Sequence, residues 1–597
     1  MRELSVPPTA TVGPDDALTD MVARNAATHA DEVGFRVQRD GRWVDVTHGE
    51  FAAQVAGVAK GLVAAGLEPG DRVGLLAKTR YEWTVLDYAI WTAGGVVVPV
   101  YETSSPDQIS WILSDSGARA VVVESARHAA DVESVRAEAP DLGPLWVIDD
   151  GALDQLTAAG ADVPDTELAA RRATLRADSL ATLIYTSGTT GRPKGCELTH
   201  ANFLFEIRNG ISLLDNYLNS SGSLLLFIPL AHVLARVLQI GAIDNRVVIG
   251  HTPDTRDLVG DLGRFNPTFL LAVPRVFEKV YNTAKAKADD DGKGRIFDRA
   301  AQVAVDWSKA QDTGGPGLLL RAQHALFDRL VYGKLRAATG GRTVAAISGG
   351  APLGERLGHF FRGIGITVFE GYGLTETTAA AAVNHDSAIR IGTVGRPLPG
   401  VDARIAEDGE VLLRGGVVMR GYWRNEQATR EAIDADGWFR TGDIGELDDQ
   451  GFLRITGRKK EILVTAGGKN VAPAVLEDRL RAHKLISQCL VVGDQRPFIG
   501  ALITLDVEAL PAWLKSVGKD PGLTPEQLRE DAALLGELDT AVAEANKAVS
   551  HAEAIKKFRV LAVDFTEENG TLTPSLKLKR AVVMKEFGTE VEALYAK

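Results

Sequence analysis

The sequence predicts an α/β fold built around a largely parallel sheet. Residues 81–93 have the pattern of a helix, a Gly-Gly pair ends it, and the β-branched run Val96–Val100 follows as a buried strand. The same order returns downstream, where apolar residues within 109–113 lie at helical spacing and a strand-like run covers 120–124. Helices that alternate with apolar strands predict a sheet that is covered on both faces.

The chain is long enough for more than one domain. Its 597 residues exceed what a single hydrophobic core organises. Residues 409–414 and 451–455 have the pattern of short strands between turns, which predicts a β-rich subdomain upstream of residue 458. The segment beyond it is roughly 140 residues long, enough for a small α/β domain. We therefore expect an N-terminal domain over 1–458 and a C-terminal domain over 459–597.

A helical insertion is expected at about 284–340. A polar loop at 289–294 precedes a predicted helix over 296–310, and the run Gly-Gly-Pro-Gly at 314–317 separates it from a second predicted helix over 318–338.

Composition excludes several classes of protein. Hydrophobic residues make up 45% and charged residues 24%, as in soluble globular proteins, and the net charge of −13 argues against nucleic acid as a partner. The two cysteines, Cys196 and Cys489, cannot form a disulfide framework or a cysteine metal site. We therefore expect a reduced, cytoplasmic setting.

The most apolar long stretch, residues 224–243, is about long enough to span a bilayer. It contains Pro229, His232, Arg236 and Gln239, which are costly in lipid. A buried strand followed by a helix is therefore predicted here. The N-terminus does not have the pattern of a signal peptide.

A loop rich in glycine and threonine, Tyr-Thr-Ser-Gly-Thr-Thr-Gly-Arg-Pro-Lys-Gly over residues 185–195, has the chemistry of a phosphate site. Glycines allow close backbone approach, while hydroxyls and a lysine face the oxygens. It is not a Walker loop, because Lys194 lies between Pro193 and Gly195 instead of before a Ser or Thr. The alternative is a surface turn with a solvated lysine.

Three further motifs follow in order: Ser-Gly-Gly-Ala-Pro-Leu over 348–353, Glu-Gly-Tyr-Gly-Leu-Thr-Glu-Thr over 370–377, and Trp-Phe-Arg-Thr-Gly-Asp-Ile-Gly over 438–445. The first two follow strand-like runs at 344–347 and 366–369, where α/β sheets place ligand loops. Near the C-terminus, Thr-Pro-Ser-Leu-Lys-Leu-Lys-Arg over 573–580 offers a lysine from a separate segment.

These motifs, from about Thr47 to Lys579, resemble those of the adenylate-forming superfamily and, within it, the long-chain fatty acyl-CoA synthetases. The resemblance implies a large N-terminal domain of layered α/β subdomains plus a β-rich subdomain, followed by a small mobile C-terminal α/β domain. The helical insertion is similar to that of the long-chain members of the family.

The resemblance also implies a binding site for Mg·ATP. The glycine-rich loop would hold the β- and γ-phosphates. Tyr372 and the backbone of Gly350 and Ala351 would line the adenine. Asp443 and Arg458 would meet the ribose, Thr375 the α-phosphate, and Thr186 and Glu376 the Mg²⁺ ion. The other expected nucleotide contacts are Ser187, Gly188, Thr189, Thr190, Gly191, Lys194, Gly371 and Gly373.

In the C-terminal domain, Lys577 is the expected catalytic residue, because it aligns with the family lysine that contacts the carboxylate and the α-phosphate. Lys579 is close enough in sequence to leave the assignment between the two open. Lys460 aligns with the hinge between two domain orientations. Gly467 and Gly468 would line the pantetheine channel of coenzyme A.

His232 matches a position near the acyl site of relatives, although a lone histidine beside apolar residues is more often structural. In some long-chain relatives an aromatic gate lies four residues beyond it. Arg236 occupies that place here, so a gate would have to be built differently.

The implied activity is a two-step ligation with ATP, Mg²⁺ and coenzyme A. A fatty carboxylate attacks the α-phosphorus of ATP, and the coenzyme A thiolate then takes the acyl group from the acyl-adenylate. Three alternatives stay open: a ligase that loads a carrier protein, an enzyme for aryl or short-chain acids, and a non-catalytic binding protein. Acyl chain length, oligomeric state and peripheral contact with the inner face of the membrane are not determined by the sequence.

Overall fold

The computed structural model describes residues 1–186, 192–466, 469–573 and 577–596. Its first large sheet is parallel at its centre and carries antiparallel strands at one edge. Its strands, in spatial order, are β19 (Gly421–Tyr422), β9 (Lys194–Thr199), β8 (Leu180–Thr186), β5 (Val96–Val100), β4 (Arg72–Leu76), β6 (Ala120–Val123) and β7 (Leu145–Val147).

The second large sheet is also parallel at its centre, with antiparallel strands at both edges. Its strands, in spatial order, are β16 (Arg396–Pro397), β15 (Ala382–Val383), β14 (Thr367–Tyr372), β13 (Ala345–Ser348), β12 (Phe269–Ala272), β10 (Ser223–Leu226), β11 (Val248–His251), β2 (Val33–Arg39) and β3 (Arg42–Thr47).

An antiparallel sheet forms the β-rich part that the sequence predicts. Its strands, in spatial order, are β1 (Glu3–Ser5), β17 (Val401–Ile405), β18 (Glu410–Gly415), β20 (Phe439–Leu447) and β21 (Leu453–Arg458). The remaining strands are a short pair, β22 (Leu463–Val464) and β23 (Asn470–Val471), and the sheet β24 (Ile486–Val492), β25 (Ile499–Leu505) and β26 (Ile555–Val560).

Helices cover these sheets. Up to residue 432 they are α1 (Thr19–Thr28), α2 (His48–Ala64), α3 (Tyr81–Thr92), α4 (Pro106–Ser116), α5 (Ala126–Ser134), α6 (Ala152–Ala159), α7 (Asp165–Thr174), α8 (His200–Asn209), α9 (Val233–Asp244), α10 (Leu258–Phe265), α11 (Pro274–Asp290), α12 (Gly294–Gln311), α13 (Leu318–Phe327), α14 (Gly333–Ala338), α15 (Glu355–Gly363) and α16 (Glu426–Ala432). Beyond it they are α17 (Pro473–Arg481), α18 (Leu510–Ser516), α19 (Pro525–Leu528), α20 (Ala532–Asn546), α21 (Arg580–Glu586) and α22 (Gly588–Tyr595).

The α/β class is confirmed, and so is the reading of residues 224–243, which contain β10 and most of α9. In the described part of the chain, no helix is both long and apolar enough to cross a membrane. The residues after Val471 build hydrophobic clusters of their own around the sheet β24–β25–β26. A separate core fits the predicted C-terminal domain, although the boundary at 458/459 stays a prediction.

The helical insertion differs from the prediction in two places. It starts earlier, because α11 begins at Pro274 and continues to Asp290, into the predicted polar loop. The prediction of a helix over 318–338 is confirmed, but a π-helical turn at Asp328–Tyr332 interrupts its α-helical hydrogen bonding between α13 and α14. The buried Tyr332 lies in this turn and donates a hydrogen bond from its hydroxyl to the Ala300 carbonyl of α12 at 2.7 Å.

The insertion packs tightly onto the rest of the domain. Tyr281 of α11 contacts Phe360 of α15 edge-on, with ring centroids 4.8 Å apart. A Cβ on Gly363, at the end of α15, would lie 2.0 Å from the Ala304 carbonyl oxygen of α12. Only glycine permits this close approach of α12 and α15.

Helices α3 and α9 lie between the two large sheets. Trp91 of α3 donates a hydrogen bond to the Ala181 carbonyl of β8 at 2.8 Å. On the other side, Thr84 of α3 contacts His251 of β11, and Gln239 of α9 accepts from Thr84 at 2.7 Å. These contacts give Thr84, Gln239 and His251 polar partners within the apolar core, while Gln239 Nε2 and His251 Nδ1 have no hydrogen-bond partner among the described residues.

A fully buried ion pair joins α3 to α9. Arg236 Nε donates to Asp87 Oδ2 at 2.9 Å, a second nitrogen contacts the other carboxylate oxygen, and Arg236 also donates to Thr182 of β8 at 2.7 Å. Burial raises the pKa of Asp87, and the charge of Arg236 opposes that rise. The guanidinium lies 5.0 Å from the Trp91 ring centroid and 5.4 Å from that of Trp83.

Replacing Arg236 by methionine should destabilise the protein strongly, because it leaves a buried carboxylate without its cation. We expect a loss of about 3–5 kcal/mol in the free energy of unfolding, measured by urea denaturation. The double variant Asp87→Leu/Arg236→Met should recover a large part of this loss, because it removes both buried charges. A double variant that is as unstable as the single one would contradict the assignment.

Candidate active site

An open cavity lies where β13 and β14 end and α9 begins. Its lining combines backbone from the two glycine-containing loops with side chains from α9 and from the C-terminal part of the chain. The lining residues are His232, Val233, Leu234, Ile347, Ser348, Gly349, Gly350, Gly371, Tyr372, Gly373, Leu374, Thr375, Ala379, Ala380 and Lys577. The carboxyl ends of parallel strands are the usual ligand-binding edge of an α/β sheet.

A strained turn shapes this cavity. Thr378 and Ala379 adopt φ values of +53° and +92°, in the left-handed region that side chains disfavour. The turn brings the Ala379 carbonyl oxygen so close to Gly373 that a Cβ there would lie 1.6 Å from it. Gly373 is therefore required by the close approach of the chain, and the strained residues lie two and three positions after Glu376.

Lys577 reaches the cavity from a hairpin of the C-terminal part. Leu572 and Leu578 pair across this hairpin, and the Lys577 amide donates to Thr573 Oγ1 at 3.0 Å. A Cβ placed on Gly350 would lie 3.8 Å from Lys577 Cε. Lys579, the other candidate in the sequence, precedes the first turn of α21 and is not part of the cavity lining.

The charges around Lys577 come from several elements. Protein atoms around its ammonium lower the pKa of Lys577 by desolvation, and the charge of Arg458 lowers this pKa further, although the residue as a whole is exposed to solvent. The carboxylates of Asp443, Glu376 and Glu461 raise it in part. Lys577 is therefore a partly desolvated cation that faces the predicted nucleotide site.

A second group of site residues is joined by short polar contacts. The Tyr372 hydroxyl donates to Asp443 Oδ2 at 2.6 Å, and Arg458 Nε lies 3.0 Å from Asp443 Oδ1. Asp443 on β20 is directly opposite Arg458 on β21, which explains the pairing. Burial raises the pKa of Asp443, whereas Arg458 and the Tyr372 hydroxyl lower it. The predicted adenine and ribose residues thus form one cluster.

Glu376 belongs to a third group, at the edge of the first large sheet. The Tyr422 hydroxyl donates to Glu376 Oε1 at 2.9 Å, and Lys194 Nζ lies 4.9 Å from the Tyr422 ring centroid. Burial raises the pKa of the neighbouring Cys196 thiol, the charge of Glu376 raises it further, and a hydrogen bond with Thr186 lowers it. Thr186, Glu376 and Lys194 are therefore close together.

This arrangement fits a magnesium ion held jointly with phosphates. Among the described residues, no group of three His, Cys, Asp or Glu side chains could hold a metal on its own. Mg²⁺ commonly takes one or two protein oxygen ligands and completes its shell with water and phosphate oxygens. The Glu376 carboxylate and the Thr186 hydroxyl are suitable oxygen donors for that role.

His232 lies at the N-terminus of α9, where Nδ1 accepts a hydrogen bond from the Leu234 amide at 3.2 Å. Burial lowers the pKa of His232 to about 4, and the nearby charge of Lys577 contributes to this. His232 is therefore a neutral wall residue of the cavity at physiological pH. Arg236, one turn further, faces Asp87 rather than the cavity, so it takes no part in gating.

The other predicted residues are distributed as follows. Ala351 is exposed beside Gly350, outside the cavity lining. Lys460 is exposed within the short 3₁₀ turn Lys459–Glu461, while the adjacent Lys459 contacts Asp408 and Glu410 of the antiparallel sheet. Seven further predicted residues lie outside the described part of the chain: Ser187, Gly188, Thr189, Thr190, Gly191, Gly467 and Gly468.

Two site residues were missed by the sequence reasoning. Tyr422, the partner of Glu376, is brought there because β19 pairs with β9 in the register Tyr422↔Cys196. Ser348 was quoted as part of a motif without a role, yet its buried Oγ has no hydrogen-bond partner among the described residues and its side chain borders the cavity. Its position directly before Gly-Gly was the available signal.

Comparison with known proteins identifies the family. The family model described as "AMP-binding enzyme" matches residues 22–423, and that described as "AMP-binding enzyme C-terminal domain" matches residues 460–597. The chain belongs to the AMP-binding enzyme family. The resemblance to adenylate-forming enzymes drawn from the motifs is thereby confirmed, whereas the roles of individual site residues stay predictions.

Individual relatives in this family match over the whole length. The chain is 55% identical over 600 residues to the long-chain-fatty-acid–CoA ligase FadD15 of Mycobacterium tuberculosis, covering 100% of both chains. It is 30% identical over 618 residues to the peroxisomal long chain acyl-CoA synthetase 7 of Arabidopsis thaliana, covering 97% of this chain and 86% of that protein.

A solved structure shows the same fold. The A-PCP didomain of carboxylic acid reductase from Segniliparus rugosus, in complex with AMP, superposes with a TM-score of 0.75 over 99% of this chain and 84% of that one, at 22% identity.

The pKa of Lys577 should lie below its ordinary value near 10.5 and should fall further when Asp443 is replaced by asparagine. In Asp443→Asn the opposing carboxylate is lost while Arg458 remains, so the ammonium gives up its proton at a lower pH. Competitive labelling of amines with acetic anhydride across a pH series, read by mass spectrometry at Lys577, measures this shift.

Lysines of the denatured chain supply the reference titration in the same experiment. A Lys577 that titrates like the denatured lysines, or that does not respond to Asp443→Asn, would contradict the described environment.

Proposed function

We propose that this chain is a long-chain fatty acid–CoA ligase that works through an acyl-adenylate. The observation that carries the proposal is the position of Lys577 in a cavity whose other walls are the glycine loops, Tyr372 and Thr375. The full-length identity of 55% to a ligase of that name supports the acid class and coenzyme A as acceptor. ATP and coenzyme A are then its co-substrates.

In the first step, a carboxylate oxygen of the fatty acid attacks the α-phosphorus of ATP, and the bond to the bridging oxygen breaks, so that diphosphate leaves. Negative charge accumulates on the oxygens between carboxylate and phosphate. Lys577 supplies a fixed positive charge to these oxygens, and Thr375 offers a hydroxyl. Since His232 is neutral, it shapes the wall without adding a second cation.

The nucleoside is positioned by the cluster of Tyr372, Asp443 and Arg458. The Asp443 carboxylate oxygens contact Tyr372 and Arg458. In the proposed complex the same carboxylate accepts hydrogen bonds from the ribose hydroxyls. Gly350, Gly371 and Gly373 let the backbone approach the purine closely. Catalysis in this step rests on positioning and electrostatics.

Mg²⁺ bound between the phosphates, Glu376 and Thr186 would neutralise phosphate charge and orient the leaving group. Lys194 lies on the same side as Glu376 and would meet the β- and γ-phosphates. Residues 187–191 of the glycine-rich loop, which lie outside the described part of the chain, would add further phosphate contacts.

In the second step, the coenzyme A thiolate attacks the acyl carbon, and AMP leaves. We propose that the C-terminal domain, residues 459–597, rotates about Lys460 between the steps and carries Lys577 away. Support comes from the junction itself: Lys459 is tied to Asp408 and Glu410, while Lys460 is exposed directly beside it. Gly467 and Gly468 would then line the pantetheine channel.

The proposed setting is the cytoplasm, with fatty acid, ATP and coenzyme A as small-molecule partners and contact with the inner face of the membrane as an open addition. The net charge of −13 does not favour nucleic acid as a partner.

The purified protein with Mg·ATP, coenzyme A and a ladder of saturated fatty acids should form AMP and acyl-CoA, with the best turnover among long chains. Lys577→Ala should lose diphosphate release by about a hundred-fold or more, because it removes a transition-state charge. The matched control Lys579→Ala should retain it, because Lys579 lies outside the cavity lining.

Other outcomes identify the alternatives. Acyl-adenylate without acyl-CoA would indicate a ligase that loads a carrier protein. Equal loss in the two lysine variants would refute the role given to Lys577, and the lack of diphosphate release with any acid would refute the ligase function.

A further inference from the structure

A second cavity lies behind the active-site cavity. Leu234 of α9, Ile347 of β13 and Ala380 line both cavities, so the two adjoin at these residues. Val237 and Leu238, on the next turn of α9, continue its wall. The cavity is small, about 20 Å³, so it suits one short section of the hydrocarbon chain of an acid whose carboxylate lies beside Lys577.

One polar residue interrupts an otherwise apolar wall. Every other lining residue of the second cavity is apolar, but Glu206 of α8 contributes its carboxyl group. Glu206 is 2% exposed, and its Oε2 has no hydrogen-bond partner among the residues that the structure describes. An unpaired buried oxygen of this kind costs free energy that an apolar residue would avoid.

The carboxyl group is held in place from two sides. The Ala380 backbone amide interacts with it, and Gly210 leaves room for it at the end of α8, where a Cβ would lie 3.1 Å from Glu206 Oε1. Burial raises the pKa of Glu206 well above its ordinary value. Burial therefore favours the protonated acid, which has one O–H donor and further acceptor capacity.

We propose that Glu206 is a specificity-determining residue that selects long-chain acids carrying a hydroxyl or keto oxygen along the chain. This inference rests on the proposed ligase function. The oxygen of such an acid supplies the missing partner of Glu206, whereas an unsubstituted chain leaves the carboxyl group unpaired against methylenes. Discrimination by buried polar groups arises mainly from this cost of leaving them unpaired.

The test compares the saturated acid with the fastest turnover and its monohydroxylated isomers, with the hydroxyl moved carbon by carbon along the chain. We expect one narrow range of positions to exceed the unsubstituted acid by roughly ten-fold in kcat/KM. Positions outside that range should be poorer than the unsubstituted acid, because their hydroxyl would meet apolar wall.

Two variants of Glu206 separate selection from support of the fold. Glu206→Gln keeps an acceptor for the Ala380 amide and provides an NH₂ group as donor, so the preference for the hydroxylated isomer should persist. Glu206→Leu removes both, and the ratio of the two kcat/KM values should fall to about one, as expected when the discriminating group is lost. If thermal denaturation shows that the Glu206→Leu variant does not fold, Glu206→Met is used in its place.

Three results would overturn the inference. The first is that the wild-type enzyme prefers no hydroxylated isomer. The second is that the preference persists in Glu206→Leu or Glu206→Met. The third is that those variants lose kcat/KM equally for both acids, which would show that Glu206 only pairs the Ala380 amide. In each case, if the wild-type enzyme still converts unsubstituted acids, the proposed ligase function is not refuted. No diphosphate release with any acid would refute that function as well.

Discussion

The orientation of α9 is the constraint on which the rest of the site depends. This helix lies between the two large sheets, and the buried pair of Arg236 and Asp87, with Thr182 as third partner, fixes its rotation about its own axis. Once Arg236 points to α3 and β8, the opposite face of α9 must present Leu234, Val237 and Leu238 to the cavities. A rotation of one residue would bury a charge against hydrocarbon, which costs more than most core substitutions.

The nucleotide site depends in turn on the meeting of two separate parts of the chain. Asp443 and Arg458 are opposite each other on β20 and β21, and Lys577 arrives from a hairpin built more than a hundred residues later. Arg458 repels the Lys577 ammonium, whereas Asp443, Glu376 and Glu461 attract it. The charges around the ammonium therefore partly cancel. A balance of this kind would suit the proposed departure of Lys577 between the two steps.

The sequence predicted the parts of the site that are local in the chain and missed those that depend on pairing between distant segments. The glycine loops, Asp443 and Lys577 belong to contiguous motifs, so their types and order were readable, as was the alternation of helix and strand. Tyr422 reaches Glu376 because β19 pairs with β9, and no local sequence pattern predicts this pairing. The sequence also did not predict the π-helical turn at Asp328–Tyr332. This turn is accompanied by a contact between distant segments, since Tyr332 packs against α12. The sequence favoured Lys577 over Lys579 without excluding the latter, and the cavity lining, which includes Lys577 and not Lys579, supports that preference.

Arg236 and Glu206 show why a charged residue in an apolar segment has no fixed meaning in sequence. Both lie on helices beside apolar neighbours, and both are buried. Arg236 has its counter-charge and a hydroxyl, so its polar groups are paired and its contribution is to hold the fold. Glu206 has one backbone partner and a free oxygen beside a cavity that adjoins the active site. Burial costs both residues free energy, but only in Glu206 does part of that cost stay uncompensated within the described protein. A substrate oxygen is the group that could compensate it, and this difference in pairing, rather than burial, is what distinguishes a candidate for recognition from a structural residue.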